Sequence, residues 1–205
     1  MSNKTTGRQV IQSNRGVFSD AANSSHRFIP DYERLSEMIT ACKTIGLKVV
    51  LAMGTFDIIH IGHFLYLEKA HSYGDVLVVG VDSDEKVKAR KGPSRPIVPE
   101  DERVTMLTHV RNVDIVTLKP ASSPKWTLIK LVRPDVLIAT AETYTKKELE
   151  ALEEYCGRVV VLEPQATTST TAKLRRIHIG LAKKMKAVIA EAVEASFDKL
   201  SEGEV

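Results

Sequence analysis

The sequence contains little cysteine and no long apolar run. Its 205 residues include two cysteines, Cys42 and Cys156, which lie far apart and match neither C-x-x-C nor a zinc-binding spacing. We therefore expect buried free thiols and a reducing compartment. No stretch approaches the ~20 apolar residues of a membrane helix, and the N-terminus lacks the apolar core of a signal peptide. A cytoplasmic location without membrane contact is the expectation.

Charge of one sign is not in large excess. The formal net charge is +3, and acidic and basic residues are interspersed. This balance gives no basis for a nucleic-acid partner, but it is compatible with a small polyanion such as a nucleotide. The apolar fraction of 43% and the charged fraction of 27% are ordinary for a globular chain that buries its own core.

Several catalytic signatures are also absent. No G-x-G-x-x-G follows the first predicted strand, which argues against a dehydrogenase. The chain shares H-I-G-H with class I aminoacyl-tRNA synthetases, but it has no K-M-S-K-S and no room for an anticodon domain. No serine or cysteine nucleophile motif is visible. The H-x-x-H at 60–63 lacks both the glutamate of H-E-x-x-H and a third ligand, so no metal-ligating set is predicted.

The apolar pattern predicts a doubly wound, Rossmann-like α/β fold. Five short, continuously apolar runs indicate buried strands at residues 48–53, 75–81, 113–118, 135–140 and 158–163. Helical patterns lie between them, at 31–45, 62–73, 99–110, 123–132 and 145–155, with a long last helix from 169–171. Such alternation indicates a five-stranded parallel sheet with helices on both faces. Residues 88–99, rich in proline and basic residues, are expected to form a loop.

Composition divides the chain into three predicted parts. Residues 1–29 are rich in Ser, Asn, Gly and Thr, which predicts an N-terminal tail without regular structure. The apolar side chains of Val17, Phe18 and Phe28 could anchor this tail to the rest of the protein. Residues 30–180 carry the α/β pattern. Residues 181–205 form a helical extension, and an apolar stripe at three- and four-residue spacing runs through 172–200. This stripe suits either packing onto the domain or a partner helix, and we expect a homodimer.

Four segments follow the predicted strands at their carboxyl ends: 54–63, 82–91, 139–144 and 167–171. Ligands of doubly wound folds bind at that edge, so one pocket could collect them all. In the first segment, Gly54 allows close backbone approach to an anion and Gly62 opens a helix. His60 and His63 could then donate hydrogen bonds to phosphate oxygens. Packed rings bonded to backbone, or a metal pair, are the open alternatives.

The stretch His60-Ile61-Gly62-His63 matches the H-x-G-H signature of the nucleotidyltransferase superfamily in full. Over about residues 30–180, the order and spacing of four stretches resemble the cytidylyltransferase-like branch. These stretches are MGTFDIIHIGHFLYLEKA, GDVLVVGVDSDEKVKARKGPSRPIVPEDER, LVRPDVLIAT and TTSTTAKLRRI. The adenylyltransferase domain of bacterial ADP-heptose synthases is the most similar. Glycerol-3-phosphate and ethanolamine-phosphate cytidylyltransferases come next.

The resemblance implies that a substrate phosphate attacks the α-phosphorus of a nucleoside triphosphate and expels pyrophosphate. His60, His63 and Lys91 would be the catalytic residues. The nucleotide-binding residues would be Gly54, Thr55, Phe56, Lys88, Arg103, Ser169, Thr170 and Thr171. Asp82, Glu142 and Tyr144 are candidates for recognition of the base or the acceptor. Mg²⁺ would bridge the phosphates, held mostly by nucleotide and water.

Several alternatives stay open at this point. Arg103 could contact phosphate or pair with an acid, Asp57 could hold the loop, and the threonines at 170–171 could simply cap a helix. Residues 139–144 lack the glycine-rich, aspartate-bearing stretch that the family commonly has there, so helix capping competes with a binding role for Glu142 and Tyr144. ATP and a phosphorylated sugar or polyol are the favoured substrates. A CTP-dependent cytidylyltransferase and a non-catalytic nucleotide sensor are the alternatives.

Overall fold

The computed structural model describes residues 24–140, 143–163 and 170–201. Its strands are β1 Val49–Gly54, β2 Val76–Asp82, β3 Ile115–Lys119, β4 Val136–Thr140 and β5 Arg158–Leu162. Its helices are α1 Ser24–Arg27, α2 Tyr32–Thr44, α3 Ile61–His71, α4 Asp84–Lys91, α5 Glu100–Thr108, α6 Thr127–Val132, α7 Lys146–Leu152 and α8 Thr170–Ser201. The sheet and α1–α7 form one compact unit, and α8 belongs to a second.

The five strands form one parallel sheet in the order β3-β2-β1-β4-β5. The chain builds outward from β1 through β2 to β3, and then crosses back to β4 and β5. The direction of this progression changes between β1 and β4, so the topological switch point lies at their carboxyl ends. The predicted fold class, a five-stranded doubly wound α/β fold, is confirmed.

Burial of the sheet on both faces explains why its strands are continuously apolar. Every residue of β2 is buried. Two consecutive residues of this strand, Val78 and Val79, belong to different core clusters. Leu67 of α3 packs in the cluster with Val79, and Leu35 of α2 packs in the other. Because successive side chains of a strand point to opposite faces, two covered faces require apolar residues at consecutive positions.

The predicted loop at 88–99 is wrong in its first part, because α4 extends through Lys91. Ser83 caps the amino end of this helix by accepting a hydrogen bond from the Lys86 N–H, and two acidic residues occupy its first turn. The helix ends at Gly92, whose φ of 94° lies in the left-handed region. The prolines at 93, 96 and 99 therefore follow the helix and do not interrupt it.

The folded unit begins earlier than the predicted boundary at residue 30. Arg27 Nη1 donates to the carbonyl oxygens of Val110, at 3.3 Å, and Val113, at 3.0 Å. Phe28 forms an isolated parallel bridge with Val116 of β3, and Ile29 is buried. These contacts cover the outer edge of β3. Val17 and Phe18, the other expected anchors of the tail, lie outside the described residues.

The second predicted boundary, at residue 180, falls inside α8, which is continuous over 32 residues. Both cysteines are free, as predicted, although Cys156 is only partly buried. A search of the described helices finds none with the length and apolar content needed to cross a membrane.

Candidate active site

The loop between β1 and α3 has an unusual backbone conformation. Phe56 and Ile58 have φ values of 52° and 46°, a region that bulky side chains rarely occupy. The Phe56 ring is buried, and Asp57 between them is held by three hydrogen bonds from residues 95–98. The surrounding contacts thus impose the course of this loop at the carboxyl end of β1.

The two histidines cap α3 reciprocally. His60 Nδ1 accepts a hydrogen bond from the Gly62 N–H at 3.1 Å, and His63 Nδ1 accepts one from the His60 N–H at 3.3 Å. A neutral imidazole whose Nδ1 is an acceptor carries its proton on Nε2. Each ring therefore has Nε2 as a hydrogen-bond donor. The ring centroids are 4.1 Å apart, so both donors belong to one small site at the amino end of the helix.

This geometry reconciles two of the alternatives that the sequence left open. The rings are bonded to backbone, as the structural alternative required, and His63 also lies against Phe56 at a centroid distance of 5.6 Å. The same hydrogen bonds orient the rings and select the tautomer that donates from Nε2. Structural capping and phosphate binding are therefore compatible in His60 and His63.

Asp57 connects this loop to the segment after α4. Its carboxylate accepts hydrogen bonds from Arg95 Nη1 at 2.7 Å and from the N–H groups of Ile97 and Val98, both at 3.0 Å. Burial alone would raise its pKa, but the hydrogen bonds from Val98, Arg95 and Ile97 hold the pKa below the ordinary value. Asp57 therefore has the loop-holding role that the sequence suggested.

Arg103 lies in the protein interior, where it supports the loops of the site and does not line the site surface. Its side chain is fully buried. Nε donates to the Val98 carbonyl at 2.9 Å, Nη1 donates to the Thr55 carbonyl, and Nη2 pairs with Asp84 at 2.7 Å. The guanidinium is engaged by protein groups, and the predicted nucleotide contact stays a prediction. The alternative that Arg103 pairs with an acid to hold the structure is the one observed.

Asp82, the last residue of β2, organises a cluster of cations. Its carboxylate is buried and lies 2.9 Å from Lys119 Nζ and 2.9 Å from Arg90 Nη2. Arg90 Nη2 also donates to Thr55 Oγ1 at 2.7 Å. Burial alone would raise the pKa of Asp82, but Lys119, followed by Arg90 and Lys86, lowers it below the ordinary value. The chain from Asp82 through Arg90 to Thr55 joins β2 to the loop that carries the histidines.

Sequence reasoning missed Arg90, Lys86 and Lys119. Lys86 and Arg90 fall in the predicted strand-end segment 82–91, where only Asp82, Lys88 and Lys91 were assigned roles, and Lys119 ends β3, the strand whose carboxyl end was not among the four predicted segments. A signal was nevertheless available, because Lys119 is the residue that directly follows an apolar run. Basic residues in that position are placed at the ligand-binding edge by the topology alone.

The lysines predicted at this edge are placed on α4. Lys88 and Lys91 are both exposed. Although Lys91 is exposed, partial desolvation of its ammonium group and the neighbouring Arg90 lower its pKa, while Asp57 and Asp82 act in the opposite direction. Lys91 therefore lies within electrostatic range of the residues around the β1 loop. A helical turn, not a flexible loop, presents it.

Tyr144, predicted to recognise base or acceptor together with Asp82, lies within electrostatic range of that carboxylate. Tyr144 is half-buried, and burial, followed by the nearby Asp82 carboxylate, raises its pKa to about 12. The capping that competed with a binding role is supplied by Thr145, whose side chain and that of Glu148 form a reciprocal capping box on α7. Tyr144 itself is not needed to cap the helix.

The remaining predicted residues fall outside the described part of the sheet unit. Glu142 and Ser169 lie outside the described residues. Thr170 and Thr171 begin α8, in the second unit. Their roles in nucleotide binding stay predictions.

No group of three His, Cys, Asp or Glu side chains within the described ranges could hold a metal ion. Asp57 and Asp82, two carboxylates at this edge of the sheet, already accept bonds from cationic side chains. Such carboxylates do not suit a protein-held Mg²⁺ site, because a ligand oxygen must be available to the metal.

Comparison with known proteins identifies the family. The Cytidylyltransferase-like family matches residues 51–194. The chain belongs to this family. It is 34% identical over 155 residues to the bifunctional protein HldE of Aliarcobacter butzleri, and 38% identical over 149 residues to that of Syntrophotalea carbinolica. These matches cover 75% and 71% of the chain. The resemblance read from the motifs is thereby confirmed.

The chain spans about a third of the length of these relatives, at 32% and 30%. Among solved structures, a lipopolysaccharide core biosynthesis protein from Thermoplasma volcanium is 30% identical, with a TM-score of 0.50, covering 58% of this chain and 98% of that one. A pantoate-beta-alanine ligase from Francisella tularensis also has a TM-score of 0.50, covering 66% of each chain. At 13% identity that match shows the fold alone.

Proposed function

We propose that this protein is a nucleotidyltransferase that joins the nucleotidyl group of a nucleoside triphosphate to a phosphorylated small molecule and releases pyrophosphate. The observation that carries the proposal is the pair of Nε2 donors of His60 and His63 at the amino end of α3. Helix amino ends favour anions, and oriented donors stabilise charge that develops during reaction. Membership of the Cytidylyltransferase-like family supports the same conclusion.

The residues of the chain would act by positioning and by charge neutralisation. His60 and His63 would hold the phosphates and stabilise the leaving pyrophosphate, and Lys91 on α4 would add a positive charge. The backbone of Gly54, Thr55 and Phe56 would approach the phosphates closely. Phosphoryl-type transfers need little covalent chemistry from the protein, which fits the absence of a nucleophile motif in the sequence.

Membership of the family does not specify the nucleotide or the acceptor, so both are part of the proposal. We favour ATP over CTP and a phosphorylated sugar or polyol as acceptor, because the K-G-P-S-R-P-I-V-P stretch at 91–99 is most similar to the ADP-heptose synthases. Mg²⁺ would enter with the triphosphate and neutralise its oxygens, held by nucleotide and water. We retain a cytoplasmic location as a prediction, with neither nucleic acid nor membrane as a partner.

A pyrophosphate-release screen tests the proposal. The four nucleoside triphosphates would be combined, with Mg²⁺, with heptose-1-phosphate, glycerol-3-phosphate, phosphoethanolamine and other phosphorylated acceptors. We expect release that requires both substrates and is fastest with ATP and a sugar phosphate. A preference for CTP with glycerol-3-phosphate or phosphoethanolamine would instead assign a cytidylyltransferase.

A nucleotide sensor is the competing function of another class. It is motivated by residues 139–144, which lack the glycine-rich stretch common in the family. Tight nucleotide binding without pyrophosphate release across a broad acceptor panel would favour the sensor and contradict the enzyme.

A further inference from the structure

The cluster around Asp82 carries more positive charge than its one carboxylate balances. Lys119 and Arg90 both pair with Asp82, at 2.9 Å each. Lys86 lies beside them and donates a long hydrogen bond, 3.5 Å, to the Pro120 carbonyl. Burial, followed by the charge of the neighbouring Lys119, lowers the pKa of Lys86. Three cations facing one carboxylate leave an excess of two charges that an anion would offset.

The position of this cluster separates it from the histidines. β2 lies next to β1, and β3 is one strand further from the switch point. Neighbouring strands are spaced by ~4.8 Å, so the end of β3 lies on the order of 10 Å from the end of β1. Arg90 nevertheless reaches Thr55 in the β1 loop. The cluster thus borders the proposed phosphate site on its β2–β3 side.

We propose that Lys86, Arg90 and Lys119 bind a second anionic group of the acceptor, a carboxylate or a second phosphate, in addition to the phosphate that attacks the nucleotide. The proposal rests on nucleotidyl transfer to a phosphorylated acceptor. Arg90 is half-exposed and Lys119 is mostly buried. The cluster therefore combines an accessible guanidinium group with a partly desolvated ammonium group. Charge-assisted hydrogen bonds are strongest in such surroundings.

Matched acceptors test this assignment by calorimetry on the complete chain. One pair is 3-phosphoglycerate and glycerol-3-phosphate, which differ in a carboxylate. The other pair is glucose-1,6-bisphosphate and glucose-1-phosphate, which differ in a phosphate. We expect the member with two anionic groups to bind about tenfold more tightly or better in one of the pairs, and the pair identifies which group is bound.

Two substitutions connect the preference to the cluster. Lys119→Met removes a cation that also pairs with Asp82. Lys86→Gln removes the cation whose hydrogen bond to the protein, to the Pro120 carbonyl, is long. We expect both to abolish most of the preference. Lys48→Met is the control, because Lys48 is exposed at the opposite end of the sheet, just before β1. Equal or undetectable binding within both pairs, or a preference that persists in both variants, would overturn the assignment.

The readouts separate this inference from the proposed function. Pyrophosphate release without any preference for the second anion would contradict only the cluster assignment. A preference that depends on Lys86 and Lys119, without pyrophosphate release under any condition, would contradict only the nucleotidyl transfer.

A second, independent observation concerns α8. Several large apolar side chains in its described part are exposed: Ile177, Leu181, Met185, Val188, Ile189 and Val193. At 3.6 residues per turn, Leu181, Met185, Val188 and Ile189 share one face of the helix, and Ile177 and Val193 lie at its two margins. From Ile177 to Val193 these residues extend over ~24 Å. An exposed apolar face on a polar helix is typical of a surface that packs against another helix.

The charges of α8 are segregated along its length. Residues 170–186 contain the basic residues Lys173, Arg175, Arg176, Lys183, Lys184 and Lys186. Residues 187–201 contain the acidic residues Glu191, Glu194 and Asp198, with Lys199 as the exception. Two copies aligned in parallel would place like charges together, whereas two antiparallel copies would place opposite charges together.

We propose that α8 of a second copy covers this face in an antiparallel homodimer centred near Met185. About that centre, Leu181 comes beside Ile189 of the second copy, and His178 comes beside Ala192. An antiparallel pair has two-fold symmetry, so one interface satisfies both copies and closes the assembly.

Sedimentation equilibrium of the complete chain tests the association. We expect twice the chain mass of 22.7 kDa. Leu181→Glu should give monomers, whereas Ala187→Glu on the opposite side of α8 should not change the mass. A monomeric native chain would overturn the proposal and would point to another occupant, such as the folded unit of the same chain.

Disulfide trapping tests the orientation. A mixture of His178→Cys and Ala192→Cys chains should form mixed dimers on mild oxidation, because the two positions face each other in the antiparallel arrangement. His178→Cys alone should not cross-link above the background of the native cysteines. Cross-linking of His178→Cys to itself, without mixed dimers, would indicate a parallel pair and overturn the assigned orientation.

Discussion

His60 and His63 use Nδ1 to cap α3, and the same bonds make Nε2 the donor of each neutral ring. The function of these side chains is therefore inseparable from the local backbone. A helix cap is usually a matter of stability, but here it orients both rings and selects their tautomer. This coupling makes the histidines more informative targets than residues that contact a ligand by charge alone.

Replacing His63 tests its proposed contact with the reacting phosphates. His63→Ala should lower the turnover number at least ~100-fold, the scale of losing one donor that stabilises the transition state. Steady-state pyrophosphate release measures the effect. His109→Ala is a suitable control, since His109 is exposed at the end of α5. Near-normal turnover of the His63 variant would exclude the assigned role.

Replacing Arg103 tests a supporting role. Arg103→Leu would leave Asp84 and the Thr55 carbonyl without the guanidinium that binds them. We expect the free energy of unfolding to fall by about 2–4 kcal/mol, as measured by urea denaturation. Arg111→Leu, at an exposed position, should change it little. If Arg103→Leu unfolds like the native chain but binds ATP poorly, Arg103 would be a ligand contact after all.

At the scale of elements, two glycines in different surroundings provide a matched comparison. An added Cβ at Gly157, just before β5, would lie 2.6 Å from the backbone oxygen of Asp135, which cannot move away easily. At Gly180, within α8, an added Cβ would meet nothing within 4 Å. The first position is restricted by the approach of two segments, and the second only by helix propensity.

We expect opposite effects of alanine at the two positions. Gly157→Ala should destabilise the sheet unit by about 1–3 kcal/mol through overpacking. Gly180→Ala should stabilise α8 by up to about 1 kcal/mol, because alanine favours the helix over glycine. Thermal unfolding followed by far-ultraviolet circular dichroism measures both. An unchanged stability of the Gly157→Ala variant would mean that the segments before β4 and β5 separate without a cost in free energy.

At the scale of the whole molecule, buried carboxylates determine the response to acid. The pKa values of Asp57 and Asp82 lie below the ordinary value near 3.9. Each then contributes stability that is fully present above that ordinary value and is lost as the pH falls through the lowered, folded-state pKa. The free energy of unfolding should therefore decrease steeply below pH ~4.

Asp57→Asn tests the contribution of one carboxylate. Below pH ~4 the slope of the unfolding free energy against pH should decrease by up to about 1.4 kcal/mol per pH unit. At neutral pH the variant should be less stable than the native chain, since Arg95 loses its partner. Glu150→Gln, at an exposed position of α7, should preserve the slope. An unchanged slope in Asp57→Asn would contradict the lowered pKa.

The pattern of apolar runs, read by itself, determined the strands, the parallel sheet and the edge at which the site lies. This was possible because burial on both faces requires consecutive apolar residues, and because the carboxyl ends of parallel strands meet at one edge. The His60–His63 spacing likewise indicated where to look for a phosphate site, which stays a prediction, since H-x-G-H is a local motif within one loop and one helix turn.

Only the tertiary structure decided the roles of individual charges. Arg103 and Lys91 are both basic residues near the same edge, yet Arg103 is fully buried on protein partners and Lys91 is exposed on α4. Lys119 joins Asp82 although 37 residues separate them. A charged side chain gives no local signal of its partner, because pairing depends on which segments the fold brings together. The apolar periodicity needed no such information, since each element carries its own pattern.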